Sequence, residues 1–174
     1  PEEDLSADLM ELTAVTLAAA GFGHYEISNY AQPGHASRHN RVYWSGAGWW
    51  GFGLGATAAP WGERQARPRT REAYATWLQR EREETPVPQP MPLDERVMVG
   101  LRRREGVQLA PLLVGLDQAE LERRWQPYLQ RGLLQREGSR WRLSDPEGLA
   151  LSNAVLREWL AWWSEQVEAP PPSP

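Results

Sequence analysis

Four prolines alternate over seven residues in the middle of the chain, at positions 86, 88, 90 and 92. A run of this kind favours extended polyproline geometry and is typical of a semi-rigid linker. We therefore predict one domain over residues 1–84, a linker over 85–92, a second domain over 93–169 and a tail over 170–174. The length of 174 residues is sufficient for two small domains that each bury a core.

The chain lacks two residue types on which many active sites depend. All 19 basic side chains are Arg, which excludes Schiff-base lysines and a P-loop Lys. There is no Cys, so the chain alone cannot form disulfides, thiolate nucleophiles, or Cys-ligated zinc and iron–sulfur sites. Its three His, at positions 24, 35 and 39, do not have a spacing typical of a zinc site. Within this chain we expect no ligands for an iron–sulfur cluster.

The first residues and the hydropathy of the chain bear on its cellular location. The sequence begins with Pro1 rather than Met, which predicts a piece of a longer protein. The opening residues are acidic, unlike a secretory signal, and no apolar run approaches the roughly 18 residues of a membrane-spanning helix. We expect a cytoplasmic location.

A helix followed by a strand is predicted at the start of the chain. Apolar residues recur at three- and four-residue steps over residues 4–20, which indicates an amphipathic helix. The segment 24–28 then alternates polar and apolar residues, so that His24, Glu26 and Ser28 share one face of a strand. In a βα barrel such side chains point at the active site, whereas on an ordinary sheet they form a solvated face. The spacing alone leaves both interpretations open.

The block 51–56 alternates glycine with larger residues. As a strand, it would place Gly51, Gly53 and Gly55 on one face and the side chains of Phe52, Leu54 and Ala56 on the other. A bare strand face allows another backbone or a ligand to approach closely. A tight contact between secondary-structure elements is the equally weighted alternative to a ligand site.

The segment 38–44 combines one His, two Arg and two large aromatic residues. Such a set suits a flat, apolar, dianionic ligand: Tyr43 and Trp44 can stack on rings, Arg38 and Arg41 can pair with carboxylates, and His39 can ligate iron. Composition alone favours a packed loop with a solvated His. A helix that would place positions 35 and 39 together is doubtful, because Pro and Gly stand just before them.

The C-terminal segment predicts the element order of a winged-helix domain. A helix lined by Leu93, Val97 and Leu101 ends near residue 106, and a second helix begins after a cap at Asp117 and stops at residue 132. The dipeptide at 138–139 predicts a hairpin turn between strands 133–137 and 140–143. The segment 144–146 predicts the cap of one last helix, with proline at its first position, that runs to about residue 163.

Nucleic-acid binding through such a domain is the alternative from a different functional class. Residues 93–163 contain eleven Arg against ten acidic residues. Proteins that bind DNA present a clear basic face that displaces counterions. We therefore expect no nucleic-acid partner.

Three blocks of the sequence, in this order and spacing, resemble the HemW family. The blocks are Gly23-His24-Tyr25-Glu26-Ile27-Ser28-Asn29-Tyr30-Ala31, Ser37-Arg38-His39-Asn40-Arg41-Val42-Tyr43-Trp44 and Gly51-Phe52-Gly53-Leu54-Gly55-Ala56. This is a family of radical SAM haem chaperones that are similar to oxygen-independent coproporphyrinogen III oxidases. The element His-Asn-x-x-Tyr-Trp separates the chaperones from the true oxidases. The resemblance covers nearly the whole chain and about the C-terminal half of a family member.

The resemblance implies a fold of class α/β plus α+β. The expected architecture is the C-terminal part of a partial (βα)6 radical SAM barrel, followed by a winged-helix-like C-terminal domain. The implied function is that of a haem chaperone, which binds haem for transfer to acceptor proteins. Oxygen-independent coproporphyrinogen III oxidase activity in porphyrin biosynthesis is the alternative within the same family.

The resemblance also assigns site residues and partners. His39 falls on the family's haem-associated His and is expected to contact or ligate the haem iron, while Glu26 and Ala56 fall on strands that close the barrel around S-adenosylmethionine. Many relatives have His where this chain has Thr57, so any role of that His is absent here. The expected partners are haem, haem-accepting proteins including a membrane-associated acceptor, and the missing N-terminal half of the barrel.

One departure from the family's sequence pattern limits the cofactors that this chain can bind. The family's C-x-x-x-C-x-x-C loop, which holds a [4Fe–4S] cluster, has no counterpart in a chain without Cys. We therefore expect S-adenosylmethionine and the cluster only in the complete family protein. The fragment itself is expected to be inactive as a radical SAM enzyme, and no catalytic residue is assigned.

Overall fold

The computed structural model describes residues 3–60, 62, 64–83 and 90–168. These residues form two compact units. The first unit combines residues up to 37 with those from 97 onward, and the second unit is Arg38–Arg96. Most of the predicted linker and the whole predicted tail lie outside the described residues. The linear division into domains at residues 85–92 stays a prediction.

The described residues contain seven helices and seven short strands. The helices are α1 (Glu3–Ala19), α2 (Arg38–Ser45), α3 (Arg71–Glu83), α4 (Leu93–Leu101), α5 (Gln118–Gln130), α6 (Glu147–Ala150) and α7 (Ser152–Glu168). The strands are β1 (Gly23–Glu26), β2 (Asn29–Ala31), β3 (Thr57–Ala58), β4 (Gln65–Ala66), β5 (Val107–Gln108), β6 (Leu134–Glu137) and β7 (Arg140–Leu143). Among these helices none is both long and apolar enough to cross a membrane.

The first unit begins with α1 and the antiparallel hairpin of β1 and β2, in which His24 lies opposite Tyr30. The predicted strand over 24–28 is therefore shorter, because the chain turns back after Glu26. Ala14 is the only buried apolar residue among the described side chains of α1. Five of its larger apolar side chains are half exposed or more, namely Leu5, Leu9, Met10, Leu12 and Val15.

The core of the first unit lies between α5, α7 and a three-stranded sheet of order β5-β7-β6. Three tryptophans in it, Trp125, Trp159 and Trp162, are completely buried. The indole Nε1 of Trp125 donates to the carbonyl oxygen of Val155 at 3.3 Å, so this ring joins α5 to α7 through a hydrogen bond as well as through apolar burial. The predicted order of helix, short segment, helix, hairpin and helix is present, and the short segment contains β5.

The predicted last helix and its cap differ from the structure in two respects. Residues 147–168 form two helices, α6 and α7, separated at Leu151, rather than one. Pro146 is the N-cap residue of α6 and not its first helical residue. Because Pro146 has no side-chain acceptor, the hydroxyl of Ser144 accepts a hydrogen bond from the Gly148 N–H at 3.0 Å instead.

The β1–β2 hairpin contacts later parts of the first unit through a side-chain pair and through its backbone. The Nδ1 atom of the buried His24 ring lies 2.7 Å from a carboxylate oxygen of Asp145, and the ring stacks on Tyr30 at 3.7 Å between centroids. The N–H of Ile27 donates to the Arg102 carbonyl oxygen at 2.9 Å. The hairpin is therefore held by a polar pair on one side and by backbone pairing on the other.

The second unit contains α2, the two-residue strands β3 and β4, and α3. The prediction that residues 51–56 form a strand was wrong. Gly53 and Gly55 have φ angles of 93° and 67°, which are incompatible with extended backbone, and the segment makes a turn before β3 begins. Phe52 and Leu54, predicted on an apolar face, are 81% and 47% exposed.

Removing the cap of α5 should destabilise the first unit. The carboxylate of Asp117 accepts from the Ala119 N–H at 2.9 Å, so Asp117→Ala should lower the free energy of unfolding by about 1 kcal/mol. Asp117→Asn removes the same charge but keeps an acceptor, and it should stay within about 0.5 kcal/mol of the wild type. Urea unfolding of both variants measures the difference. Equal losses in the two would show that charge, and not capping, is responsible.

Asp145 should contribute to the raised pKa of Tyr30. Burial and, secondly, the negative charge of Asp145 raise the pKa of Tyr30 above its ordinary value of 10. A phenol with a raised pKa contributes stability below pH 10 that is lost as the pH rises through the folded-state pKa. Asp145→Asn should shift that pKa back toward 10 without reaching it, because burial remains.

Tyrosinate absorbance measures this shift, and a parallel titration of the Tyr30→Phe variant identifies the signal of Tyr30. Asp8→Asn serves as the control, since Asp8 is an exposed acid on α1. An unchanged Tyr30 titration in Asp145→Asn would show that the carboxylate does not act on the phenol.

Candidate functional site

Three aromatic rings follow one another in the second unit. The ring of His39 meets that of Tyr43 edge-on at 4.9 Å between centroids, and Tyr43 lies 4.6 Å from Trp49. His39 and Tyr43 are four residues apart on α2 and therefore share one face of the helix. We call His39, Tyr43 and Trp49 the aromatic row.

His39 is the accessible end of the aromatic row. Its side chain is exposed, and α2 has no buried residue. The helix begins at Arg38, after Pro33 and Gly34, so His35 lies outside it and does not share its face with His39. No group of three or more potential metal ligands occurs in the part of the chain that the structure describes. In that part of the chain His39 therefore belongs to no site with three or more protein ligands, whereas a haem iron needs fewer, because the porphyrin supplies four nitrogens.

The other predicted residues of segment 38–44 do not all lie beside His39. Successive side chains of a helix rotate by about 100°, so Arg41 lies on the far side of α2 from His39. Trp44 is likewise displaced from the His39 face, and both Arg41 and Trp44 have other interaction partners. Arg38 is exposed at the start of the helix. The structure thus brings together His39 and Tyr43, but it does not place all five residues around one position.

Trp49 is a member of the row that the sequence pattern did not single out. The guanidinium carbon of Arg64 lies 5.7 Å from its ring centroid, and the same guanidinium pairs with Glu95. The sequence contains no signal that distinguishes Trp49 from its neighbour Trp50. The backbone of Trp49 pairs with that of Ala59, with N···O distances of 3.2 and 2.9 Å, and this pairing fixes the position of Trp49 in the structure.

Two glycines permit this bridge. A Cβ at Gly48 would overlap the carbonyl oxygen of Pro60, and one at Gly51 would overlap the carbonyl oxygen of Thr57. Close approach of two backbones therefore requires glycine at both positions. Of the two alternatives for Gly51, a tight contact within the protein or a strand face open to a ligand, the structure favours the tight contact.

Ala56 and Glu26, the two residues implied to lie near S-adenosylmethionine, both have partners within the protein. The carbonyl oxygen of Ala56 accepts from the Arg67 N–H at 2.9 Å. Glu26, in the first unit, is 1% exposed. Its carboxylate accepts from the side-chain amide of Asn29 and from the Ser28 N–H at 3.3 Å, which stabilises the turn between β1 and β2. Their assignment to a cofactor stays a prediction.

Comparison with known proteins gives consistent matches along the chain. The family described as the HemN C-terminal domain matches residues 87–150. A heme chaperone HemW from Synechocystis is 36% identical over 180 residues, which cover 90% of this chain and 44% of that protein. A heme chaperone HemW from Mycobacterium tuberculosis is 35% identical over 164 residues, covering 92% of this chain and 40% of that protein.

A solved structure has a similar fold. The coproporphyrinogen III oxidase (HemN) from Escherichia coli, described as a radical SAM enzyme, aligns with a TM-score of 0.61 over 93% of this chain and 42% of that chain. At 13% sequence identity this likeness concerns the fold alone. The chain spans less than half the length of the relatives it matches. It therefore belongs to the HemW-type family of radical SAM coproporphyrinogen oxidase-like proteins and corresponds to the C-terminal part of its relatives.

Proposed function

We propose that this chain is the C-terminal part of a haem chaperone and that it contributes a haem-binding surface on α2. The relation to proteins named heme chaperones, which extends over nine-tenths of the chain, is the observation that carries this proposal. Haem is the cargo, and transfer to a haem-accepting protein is the proposed outcome. Neither the comparisons nor the structure supports a membrane-associated acceptor, and we do not propose one.

His39 is the proposed contact to the haem iron. A neutral imidazole nitrogen is a good ligand for iron, and an exposed ring on a helix can be reached by a planar ligand without unfolding. The neighbouring Tyr43 ring offers an apolar edge to a porphyrin. Of the predicted arginines, Arg38 is the better candidate for a propionate, because Arg41 lies on the opposite side of α2.

The residues of this chain do not fit a [4Fe–4S] cluster. Such clusters are held by Cys thiolates, and the chain contains no Cys. In our proposal the cluster and S-adenosylmethionine belong to the part of the relatives that this chain does not match. The barrel strand implied for β1 would be completed by that same part. A winged-helix-type arrangement is the proposed description of the elements from α4 to α7.

Nucleic-acid binding is not proposed, because the arginines of α5 and the hairpin are compensated locally. Arg124 pairs with Glu120 at 3.0 Å and with Glu165 at 2.6 Å. Arg136 pairs with Glu122 at 2.8 Å. A surface whose cations are paired with carboxylates has little capacity to displace counterions from a phosphate backbone.

Haemin titration of the 174-residue chain tests the role of His39. His39→Ala should weaken haemin binding at least tenfold and change the position of the Soret band, since an axial ligand is lost. His35→Ala is the matched control, because His35 is exposed and lies outside α2, and it should behave as the wild type. An unchanged spectrum and affinity in His39→Ala would contradict the assignment, as would an equal loss in His35→Ala.

The absence of Cys also predicts that this chain by itself has no oxidase activity. Turnover of coproporphyrinogen III by this chain should be absent, because the decarboxylation requires a cluster that the chain cannot hold. The measurement is porphyrin fluorescence after oxidation of the products, with the Escherichia coli coproporphyrinogen III oxidase as the positive control. Turnover by the purified chain would overturn the proposal that it lacks this activity.

A further inference from the structure

Arg67, which follows β4 in the second unit, is a buried cation with an unusual environment. Only 9% of the residue is exposed. The carbon at the centre of its guanidinium lies 4.6 Å from the ring centroid of Trp77 and 5.6 Å from that of Phe52. The guanidinium group therefore lies against two aromatic rings, that of Trp77 on α3 and that of Phe52, which directly precedes the turn at residues 53–55.

The polar atoms of Arg67 are incompletely satisfied. One terminal nitrogen of the guanidinium donates to the hydroxyl of Tyr74 at 3.4 Å, a long hydrogen bond. Its Nε atom is buried and has no hydrogen-bond partner. Within the described part of the chain, no carboxylate forms an ion pair with it. By contrast, Arg64 in the same unit pairs with Glu95.

A buried cation without an anion is energetically unfavourable. Contact with aromatic faces offsets part of the free energy that the guanidinium loses when it leaves water. An N–H of the charged group that has no hydrogen-bond partner still carries its desolvation cost. An anion placed at the Nε edge would remove that cost. The guanidinium edge presents parallel N–H groups that match the two oxygens of a carboxylate.

The residue that covers Arg67 can move aside at little cost. Phe52 is 81% exposed and stands in the turn formed by Gly53 and Gly55. Moving an exposed ring uncovers little additional apolar surface, and exposed side chains change rotamer rapidly. A flat aromatic ligand could then occupy the position of the Phe52 ring or stack on it.

We propose that Arg67 anchors a carboxylate carried by a flat aromatic ligand, with Phe52 and Trp77 as the rings that receive the ligand. This inference rests on the proposed function in one respect: haem, with two propionates on a planar ring, belongs to this ligand class. It adds a second carboxylate contact, besides the one proposed for Arg38, at a residue outside segment 38–44. Nothing in the sequence pattern distinguished Arg67 from the arginines at positions 64, 69 and 71.

The test uses iron-free protoporphyrin IX and its dimethyl ester as probes for the 174-residue chain. Neither contains iron, so ligation by His39 does not affect the result, and the two differ only in their carboxylates. The wild type should bind the acid about tenfold more tightly than the ester, followed by porphyrin fluorescence. Arg67→Gln should remove most of this preference by lowering the affinity for the acid, and it should leave the affinity for the ester unchanged.

Two further variants keep the result interpretable. Arg67→Lys retains the charge but loses the planar edge, and it should recover only part of the preference for the acid. Arg71→Gln removes an exposed arginine at the start of α3 and should leave the preference unchanged. Thermal unfolding followed by circular dichroism verifies that each variant is folded.

Each remaining outcome decides the question. No preference for the acid in the wild type, or no binding of either probe, would overturn the inference. Equal loss of acid and ester in Arg67→Gln would also overturn it, because this shows a purely structural role. Failure of haemin to bind while protoporphyrin IX retains an Arg67-dependent preference would reject the proposed haem function and uphold the carboxylate site.

Discussion

The arrangement of the second unit depends on the close approach of two backbone segments at Gly48 and Gly51. Without a Cβ at these positions, the chain can pass against the carbonyl oxygens of Pro60 and Thr57. This contact places Trp49 beside Tyr43 and sets the start of β3. The pairing of β3 with β4 then places the segment that carries Arg67.

Two charged pairs of the first unit join elements that are far apart in the sequence. Asp145 pairs with His24 across 121 positions, and Arg124 pairs with Glu165 across 41. Such pairs specify which elements meet, because breaking one would leave a partly buried polar group without a partner. Arg67 in the second unit lacks a pair of this kind, which is the reason that it stands out as a site for a ligand.

Local features of the sequence predicted much of the C-terminal segment correctly. Capping by Asp117 and the hairpin turn at Gly138 depend on interactions within a few residues, so propensity and spacing are sufficient to find them. The glycine block was interpreted wrongly, because alternation predicts a strand only if the backbone is extended. The positive φ angles at Gly53 and Gly55 cannot be recognised from alternation, and the Gly55 N–H donates to the distant carbonyl oxygen of Pro68 at 2.9 Å. The break at Leu151 was missed for a similar reason: an apolar periodicity continues across it.

The sequence by itself determined which chemistry is excluded and which family the chain resembles. A chain without Cys cannot hold an iron–sulfur cluster, and the His-Asn-x-x-Tyr-Trp element is a local pattern that requires no structure to be recognised. Only the tertiary structure decided which aromatic rings adjoin His39, and which arginine is buried without a carboxylate. These properties depend on contacts between segments that are separated along the chain, and no local spacing specifies such contacts.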